Sequence, residues 1–275
     1  FGERVSFDPI EKMLYSHDMA SMPEAIRRFF RTTPDAVVQP ESLEDLVWLT
    51  KFSRAHGLPL VPRGAGTSGY GGAVPARGGL VIELTRMNRV LEPDENGPSV
   101  WVEPGIIWNE LEDYLRSRGL ALKLYPSSAP GSSVGGFIAE GGTGIGSFEF
   151  GGIDDVVLEL EVVGPDGEIR RLAGDDLQYA CGAEGITGFI SKARLSVRRA
   201  QRDVPVLIGF TSISDALGLL AALDRLETRP WHAGFSNPEF RWKNRQAAFE
   251  RARGDADGVN VPTVLLALPE GFPAL

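Results

Sequence analysis

Two glycine-rich segments constrain this chain more than any other feature of its sequence. Residues 62–72 hold five glycines and residues 131–152 hold nine, so 14 of the 33 glycines lie within 33 of the 275 residues. Apolar runs typical of strands flank both segments, whereas a flexible linker would repeat Ser and Gly without such flanks. We therefore expect two loops at which the backbone approaches a ligand closely.

The first segment reads Gly64-Ala-Gly66-Thr-Ser-Gly69, which matches the GxGxxG pattern of dinucleotide-binding folds and follows an apolar strand. That fingerprint requires a helix at its third glycine, with its N-terminus facing the pyrophosphate. Because Gly71, Gly72 and Pro75 follow at once, we predict a loop and reject the Rossmann interpretation. A tight turn with positive φ and a phosphate-binding nest of backbone N–H groups remain, and the glycine density favours the nest. Arg63 would add a positive charge to it.

The second segment has the same character. Gly131-Ser-Ser-Val-Gly-Gly136 precedes the apolar run Phe137-Ile-Ala139, which predicts a close backbone approach followed by a short helix. The N-terminus of a helix favours an anion. Two such loops on adjacent lobes would hold a diphosphate between them.

The apolar pattern around the first segment predicts alternating strands and a helix. Residues 36–38 form a short strand, Ser42 begins a helix as its N-cap, and Gly57 ends that helix. A second strand precedes the glycine segment and a third follows it at residues 79–84. This order is typical of a small α/β lobe.

A change in composition near residues 199–204 marks a domain boundary. Beyond it, a strand, an amphipathic helix over residues 212–226 and a second strand are too few elements to close a domain. We predict an N-terminal extension, a first lobe, a second lobe and a partial C-terminal domain. These parts span residues 1–34, 35–90, 91–200 and 204–275.

Four motifs follow one another along the chain: Pro62-Arg-Gly-Ala-Gly-Thr-Ser68; Val102-Glu-Pro-Gly105 with Leu111; Ser133-Val-Gly-Gly136 through Gly144, Phe150-Gly151 and Asp154; and Gly182-Ala-Glu-Gly-Ile-Thr-Gly-Phe-Ile190. Together they resemble the FAD-binding domain of the vanillyl-alcohol oxidase / p-cresol methylhydroxylase (PCMH) superfamily. The similarity is greatest to the branch of D-lactate dehydrogenase and the FAD-linked subunit of glycolate oxidase. The resemblance implies an α+β fold: a two-lobed PCMH-type FAD-binding domain with the start of a C-terminal α/β cap domain.

The resemblance also implies where FAD would bind. Its diphosphate would lie between residues 62–68 and 131–136, and its isoalloxazine ring near residues 126–128 and 138–147. Its adenosine side would meet Glu184, Gly185 and Ile190. The cofactor-binding residues predicted in this way are Pro62, Arg63, Gly64, Ala65, Gly66, Thr67, Ser68, Gly71, Gly72, Pro126, Ser127, Ser128, Ser133, Val134, Gly135, Gly136, Ile138, Ala139, Gly142, Ser147, Glu184, Gly185, Gly188 and Ile190.

Some members of the superfamily attach FAD covalently through a His in the first loop or a Cys in the second. Neither glycine segment contains either residue, so we predict noncovalent FAD. Two positions depart from the family pattern, since Phe137 and Gly141 stand where the family often has Asn. The loss of two hydrogen-bonding side chains would alter the flavin electronics or the depth of the pocket.

Composition excludes several other classes of protein. The formal net charge of −9 argues against a nucleic-acid or anionic-membrane binder, and no run of 18 apolar residues predicts a membrane span. The single cysteine, Cys181, cannot form an internal disulfide or a cysteine metal site, which favours a reducing, cytoplasmic location. The chain begins with Phe1 and shows no signal-peptide pattern, so we expect a fragment of a longer protein.

Side chains outside the loops are weaker candidates. The three histidines, His17, His56 and His232, lack metal-ligand spacing, and no metal site is predicted. His17 lies beside Tyr15 and Asp18 in the sequence. The run Arg241, Lys243 and Arg245 would hold a substrate carboxylate or form a solvated helix face. No catalytic residue is predicted.

We predict an FAD-dependent oxidoreductase that oxidises a 2-hydroxy acid of the D-lactate or glycolate type by hydride transfer to FAD. The partners would be this small-molecule substrate, an electron acceptor such as an iron–sulfur protein, and a second copy in a homodimer. One alternative is an FAD-carrying electron-transfer module of a larger redox complex. A third interpretation keeps the fold but binds a nucleotide-sugar-like ligand without redox chemistry.

Overall fold

The structure is a computed structural model, and it describes residues 1–20, 23–93, 98–227, 229–236 and 263–269. The chain divides into two compact units. The first comprises residues 1–144 and 151–200, and the second comprises residues 145–150 and 201–275. The predicted Arg241, Lys243 and Arg245 run lies outside the described residues.

The helices and strands of the described residues are mixed along the chain, which confirms the predicted α+β class. The strands are β1 (Val5–Ser6), β2 (Ala36–Val38), β3 (Leu60–Arg63), β4 (Leu80–Glu83), β5 (Val90–Pro93), β6 (Ser99–Val102), β7 (Leu120–Leu122), β8 (Val157–Val163), β9 (Ile169–Ala173), β10 (Phe189–Arg199), β11 (Asp203–Gly209), β12 (His232–Ser236) and β13 (Thr263–Pro269). The α-helices are α1 (Pro9–Leu14), α2 (Glu24–Arg27), α3 (Leu43–His56), α4 (Trp108–Arg116), α5 (Val134–Glu140), α6 (Ser147–Phe150), α7 (Ile153–Val156) and α8 (Ile213–Leu223). Short 3₁₀ helices cover Gly2–Arg4 and Gly174–Tyr179.

The first sheet has the strand order β1-β2-β4-β3. Strand β4 pairs in parallel with both β2 and β3, and α3 connects β2 to β3, as a parallel crossover requires. Helix α3 starts where the Ser42 Oγ accepts a hydrogen bond of 3.2 Å from the Asp45 N–H, and it ends at Gly57 with φ 63°. Both ends confirm the predicted capping.

The N-terminal residues join this first sheet. Strand β1 pairs antiparallel with β2, with Val5 opposite Val38. The first sheet therefore includes a strand from residues 1–34, the region that the sequence pattern set apart as an extension.

The second sheet of the first unit is antiparallel and has the order β5-β6-β10-β8-β9, with β7 also paired to β10. The long strand β10 is its centre. One apolar cluster links the two sheets, because Val163 of β8 and Phe189 of β10 pack with residues of the first sheet and of α3. The other buried members of this cluster are Val38, Leu46, Leu49, Ile82, Leu84 and Met87.

The second unit contains a three-stranded antiparallel sheet in the order β11-β13-β12. Ser212 is the N-cap of helix α8, and its Oγ accepts a hydrogen bond of 3.1 Å from the Asp215 N–H. Ala216 and Leu223 of this helix are buried in a cluster with Val264 and Leu266 of β13. None of the helices in the described part of the chain combines the length and apolar character needed to cross a membrane.

Candidate functional site

A cleft lies in the first unit, where the two glycine segments meet the turn before β10. Most of the predicted cofactor-binding residues line it: Pro62, Arg63, Gly64, Ala65, Gly66, Thr67, Ser68, Gly72, Ser133, Gly135, Gly136, Ala139, Glu184, Gly185, Gly188 and Ile190.

The first loop leaves the carboxyl end of β3, where Arg63 lies opposite Glu83 of β4. No helix follows residues 64–69 before β4 begins at Leu80, which confirms the prediction of a loop. Gly66 has φ 68°, a left-handed conformation that glycine adopts without steric cost. The loop therefore presents backbone groups with little side-chain bulk to the cleft.

The two loops touch at Gly64 and Ser133. The Ala65 N–H donates a 3.3 Å hydrogen bond to the Ser133 Oγ. A Cβ at Gly64 would lie 2.2 Å from that oxygen, and a Cβ at Gly136 would lie 2.9 Å from it. Glycine at position 64 therefore permits the close contact of the two loops, and glycine at position 136 leaves room for the Ser133 hydroxyl within the second loop.

The second loop is fixed from behind by the segment that leads into α4. The Gly135 N–H donates a 2.7 Å hydrogen bond to the Pro104 carbonyl, and a Cβ at Gly135 would lie 2.4 Å from the Pro104 Cβ. A short helix, α5, is present as predicted, but it begins at Val134, within the segment, and so includes Gly135 and Gly136.

The turn before β10 carries the one positive φ found at a non-glycine among the described residues, at Glu184 with φ 52°. Its N–H donates a 2.7 Å hydrogen bond to the Ala139 carbonyl, and a Cβ at Gly72 would lie 2.3 Å from its Oε2. Burial raises the pKa of Glu184, and the nearby Glu140 and Asp18 raise it further. Such strained and perturbed residues concentrate at functional sites.

Charges of both signs surround the cleft. Arg63 supplies the positive charge among the described lining residues, and Glu140 and Glu184 supply the negative charges. Burial lowers the pKa of Arg63, whereas Tyr15 and Asp18 act to raise it. Backbone N–H groups and a cation suit phosphate oxygens, and carboxylates accept hydrogen bonds from sugar hydroxyls.

Other predicted site residues do not line the cleft. Pro126 is buried, Ser127 and Ser128 are exposed, and the Ser128 carbonyl accepts hydrogen bonds that shape the start of the second loop. Val134 and Ile138 are buried in the core. The rest of this group are Gly71, Gly142 and, in the second unit, Ser147.

Sequence reasoning missed several lining residues. They are Ala73, Leu84, Pro104, Ser132, Glu140, Ala180 and Thr187. Ala73, Ser132 and Glu140 adjoin or lie within the glycine segments, so the same signal extended by a few positions would have found them. Leu84 and Ala180 reach the cleft only through tertiary packing and carry no local signal. Pro104 and Thr187 lie in the second and fourth of the sequence motifs, but no contact with the cofactor was predicted for them.

The remaining candidate side chains lie outside the cleft. His56 ends α3 with its ring centroid 4.4 Å from that of Phe52, and His232 lies on β12. Burial raises the pKa of Cys181 to about 11, so its thiol stays protonated at neutral pH. Among the described residues, no group of three or more His, Cys, Asp or Glu side chains is arranged to hold a metal ion.

A family model described as an FAD binding domain matches residues 34–173, which include the first loop, the second loop and β8. The chain belongs to this family of FAD-binding domains. The match confirms the resemblance inferred from the four motifs and identifies FAD as the cofactor of the domain.

Three curated relatives show the same relationship. The chain is 34% identical to glycolate oxidase subunit GlcD of Bacillus subtilis (strain 168), over 66% of this chain and 39% of that protein. It is 34% identical to the mitochondrial D-lactate dehydrogenase [cytochrome] of Arabidopsis thaliana, over 69% and 35%. It is 29% identical to a D-lactate dehydrogenase of Archaeoglobus fulgidus, over 76% and 51%. The matches thus span between 35% and 51% of these relatives.

A solved structure of alkyldihydroxyacetonephosphate synthase has a similar fold. Its TM-score is 0.79 at 22% sequence identity, and the match covers 98% of this chain and 55% of that chain. This structural similarity supports the PCMH-type fold of the present chain.

The cleft fits FAD on its own geometry. A side chain at Gly64, Gly72 or Gly135 would meet neighbouring atoms at 2.2–2.4 Å, so the cleft depends on bare backbone at these positions. The Arg63 guanidinium matches the charge of a diphosphate, and the Glu140 and Glu184 carboxylates match the hydroxyls that flank a diphosphate in a dinucleotide.

Proposed function

We propose that this chain binds FAD noncovalently, with the diphosphate between the first and second loops. It would act as the cofactor-binding part of an oxidoreductase for 2-hydroxy acids. The contact of the two glycine loops at Gly64 and Ser133, beside the Arg63 guanidinium, is the observation that carries the cofactor placement. Relatives named as D-lactate dehydrogenases and as a subunit of glycolate oxidase support the substrate class.

The proposed reaction oxidises a 2-hydroxy acid of the D-lactate or glycolate type to the 2-oxo acid: the hydride from the α-carbon would pass to FAD, and a base would take the hydroxyl proton. The residues of this chain would bind and orient the cofactor. Backbone N–H groups of the first loop would take the phosphate oxygens, and Arg63 would offset their charge. The Ala65 N–H is not among these donors, because it already donates to the Ser133 Oγ. Glu184 would accept hydrogen bonds from hydroxyls on the adenosine side.

A second pocket adjoins the cleft and shares Pro62, Gly185 and Gly188 with it. It lies between the end of α3 and the β8–β9 turn, with Leu60 and Phe189 among its apolar lining residues. Because it continues the cleft past Gly185 and Gly188, it supports placing the adenosine end of the cofactor toward residues 184–190.

An absorption spectrum tests the cofactor and its attachment. We expect a flavin spectrum from the purified or FAD-supplemented chain, and release of FAD into the filtrate after denaturation. Colour that stayed with the chain would show a covalent link. A folded, colourless protein that took up no added FAD would refute the proposal and favour the nucleotide-sugar alternative.

The substrate class needs a separate test on the longest available form of the protein, because the matches span only part of the relatives. Under anaerobic conditions, we expect D-lactate or glycolate to bleach the bound flavin. Reduction by dithionite but by neither hydroxy acid would favour the electron-transfer module instead. The electron acceptor, a homodimer and the cytoplasmic location stay predictions.

A further inference from the structure

Residues 15–19, here called the N-terminal segment, lie against the first loop. The Met19 N–H donates a 3.0 Å hydrogen bond to the Ser68 carbonyl. The Arg63 Nη1 donates a 2.7 Å hydrogen bond to the His17 carbonyl. Both contacts join residues more than 40 positions apart, at loop positions that line the cleft.

The N-terminal segment makes a further contact with the Arg63 guanidinium, through the ring of Tyr15. The guanidinium carbon lies 4.9 Å from the centroid of the Tyr15 ring, within the range of a cation–π contact. A Cβ at Gly66 would lie 2.3 Å from the Arg63 Nη2, so the guanidinium lies directly against the backbone of the first loop. Its charge therefore lies beside the backbone of the first loop.

The groups near Arg63 oppose the effect of burial on the pKa of its guanidinium. Asp18 is only 7% exposed, and its Oδ2 has no hydrogen-bond partner among the described residues. Although burial lowers the pKa of Arg63, Tyr15, Asp18 and Glu83 raise it. An arginine remains charged at neutral pH under such opposing effects.

We propose that Tyr15 is a positioning residue for the cofactor. Together with the His17 carbonyl, the Tyr15 ring fixes the Arg63 guanidinium beneath the first loop, so that the diphosphate meets the charge of this guanidinium. The proposal rests on the proposed function, since it takes FAD as the ligand. It assigns a binding role to a segment N-terminal to the matched family region, which starts at residue 34.

The test compares three variants of the whole chain. Tyr15→Leu removes the π face, and Tyr15→Phe keeps it while losing the hydroxyl. Tyr114→Leu is the matched control, because the Arg118 guanidinium carbon lies 3.7 Å from the Tyr114 ring centroid, and neither residue lines the cleft. FAD affinity is measured by quenching of flavin fluorescence in flavin-free protein. The titrations run from about 10 mM to 1 M salt, where the Debye length falls from about 30 Å to 3 Å.

We expect Tyr15→Leu to weaken FAD binding about tenfold at low salt and to flatten the rise of Kd with salt. Tyr15→Phe should bind FAD within about twofold of the wild type, and Tyr114→Leu should bind as the wild type does. If Tyr15 had only a structural role, its substitution would weaken FAD binding equally at all salt concentrations. The dependence of Kd on salt would then be the same in the Tyr15→Phe and Tyr15→Leu variants.

Two results would overturn the inference while leaving the proposed function in place. One is wild-type affinity and salt dependence in Tyr15→Leu, and the other is an equal, salt-independent loss in the Phe and Leu variants. If Tyr15→Leu fails to fold, Tyr15→Met keeps the apolar bulk, lacks the π face and is judged by the same criteria. A wild-type chain that took up no FAD would instead refute the proposed function and this inference with it.

Discussion

The Gly64→Ala substitution tests the contact between the two loops directly. A Cβ at this position would lie 2.2 Å from the Ser133 Oγ, about 1.2 Å short of an ordinary contact of 3.4 Å. Ser133 is only 1% exposed, and its Oγ accepts the Ala65 N–H, so its rotation would break that hydrogen bond. Overpacking of this kind costs about 1–3 kcal/mol.

Gly69→Ala is the matched control in the same loop. A Cβ there would have nothing within 4 Å, and Gly69 has no positive φ. The added methyl restricts the unfolded chain, so we expect this variant to be unchanged or stabilised by about 0.4–1 kcal/mol. The two substitutions are chemically identical, but only Gly64→Ala should lower the free energy of unfolding.

The assay combines urea unfolding of the flavin-free protein with FAD titration. Gly64→Ala should lower the unfolding midpoint and weaken FAD binding by about 10- to 100-fold, because the loops must separate or Ser133 must turn into the cleft. Adding Ser133→Ala removes the atom that clashes and should recover part of both losses. Wild-type affinity and midpoint in Gly64→Ala would refute the loop contact as the basis of the site.

Three further outcomes are expected. Gly66→Val should weaken FAD binding about 100-fold or more. The φ of 68° at this position strains a branched residue, and the valine Cβ would displace the Arg63 guanidinium. A near-normal Kd in FAD titration would contradict this expectation. Burial and two nearby carboxylates raise the pKa of Glu184, so ionisation of this side chain destabilises the folded protein as the pH rises above the ordinary pKa of glutamate. Glu184→Gln cannot ionise at this position, and its stability should therefore fall less over that pH range. Urea unfolding midpoints at several pH values measure the difference. The Cys181 thiol, with its pKa raised to about 11, should react with a thiol reagent far more slowly at pH 7 than free cysteine, and rapid labelling of the folded protein would argue against its burial.

Local signals predicted the first lobe well. Strand β2 has the predicted bounds, and α3 lies between its predicted Ser42 cap and Gly57 stop, because caps and left-handed glycines are set by neighbouring residues. The rejection of a helix after residues 64–69 also rested on local chemistry, namely the glycines and the proline that follow.

Contacts between distant residues were beyond the sequence pattern. Strand β1 has two residues and α6 has four, too few for an apolar period to show. The contact of Arg63 with the His17 carbonyl joins positions 46 residues apart, and no motif connects them. Ser147 was predicted beside the flavin from its place in the second segment, and it lies in α6 of the second unit. Whether it contacts FAD stays a prediction.

The glycines of the first loop, which the sequence presents as one cluster, have different physical reasons to be glycine. Gly64 admits the Ser133 hydroxyl, Gly66 has positive φ and lies against the Arg63 guanidinium, and Gly72 leaves room for the Glu184 carboxylate. Gly69 has none of these constraints. Because loop contact, charge placement and carboxylate packing are separate, substitutions at these positions should differ in their effects on stability and on FAD affinity. A uniform response at all four positions would indicate that the segment needs only backbone flexibility.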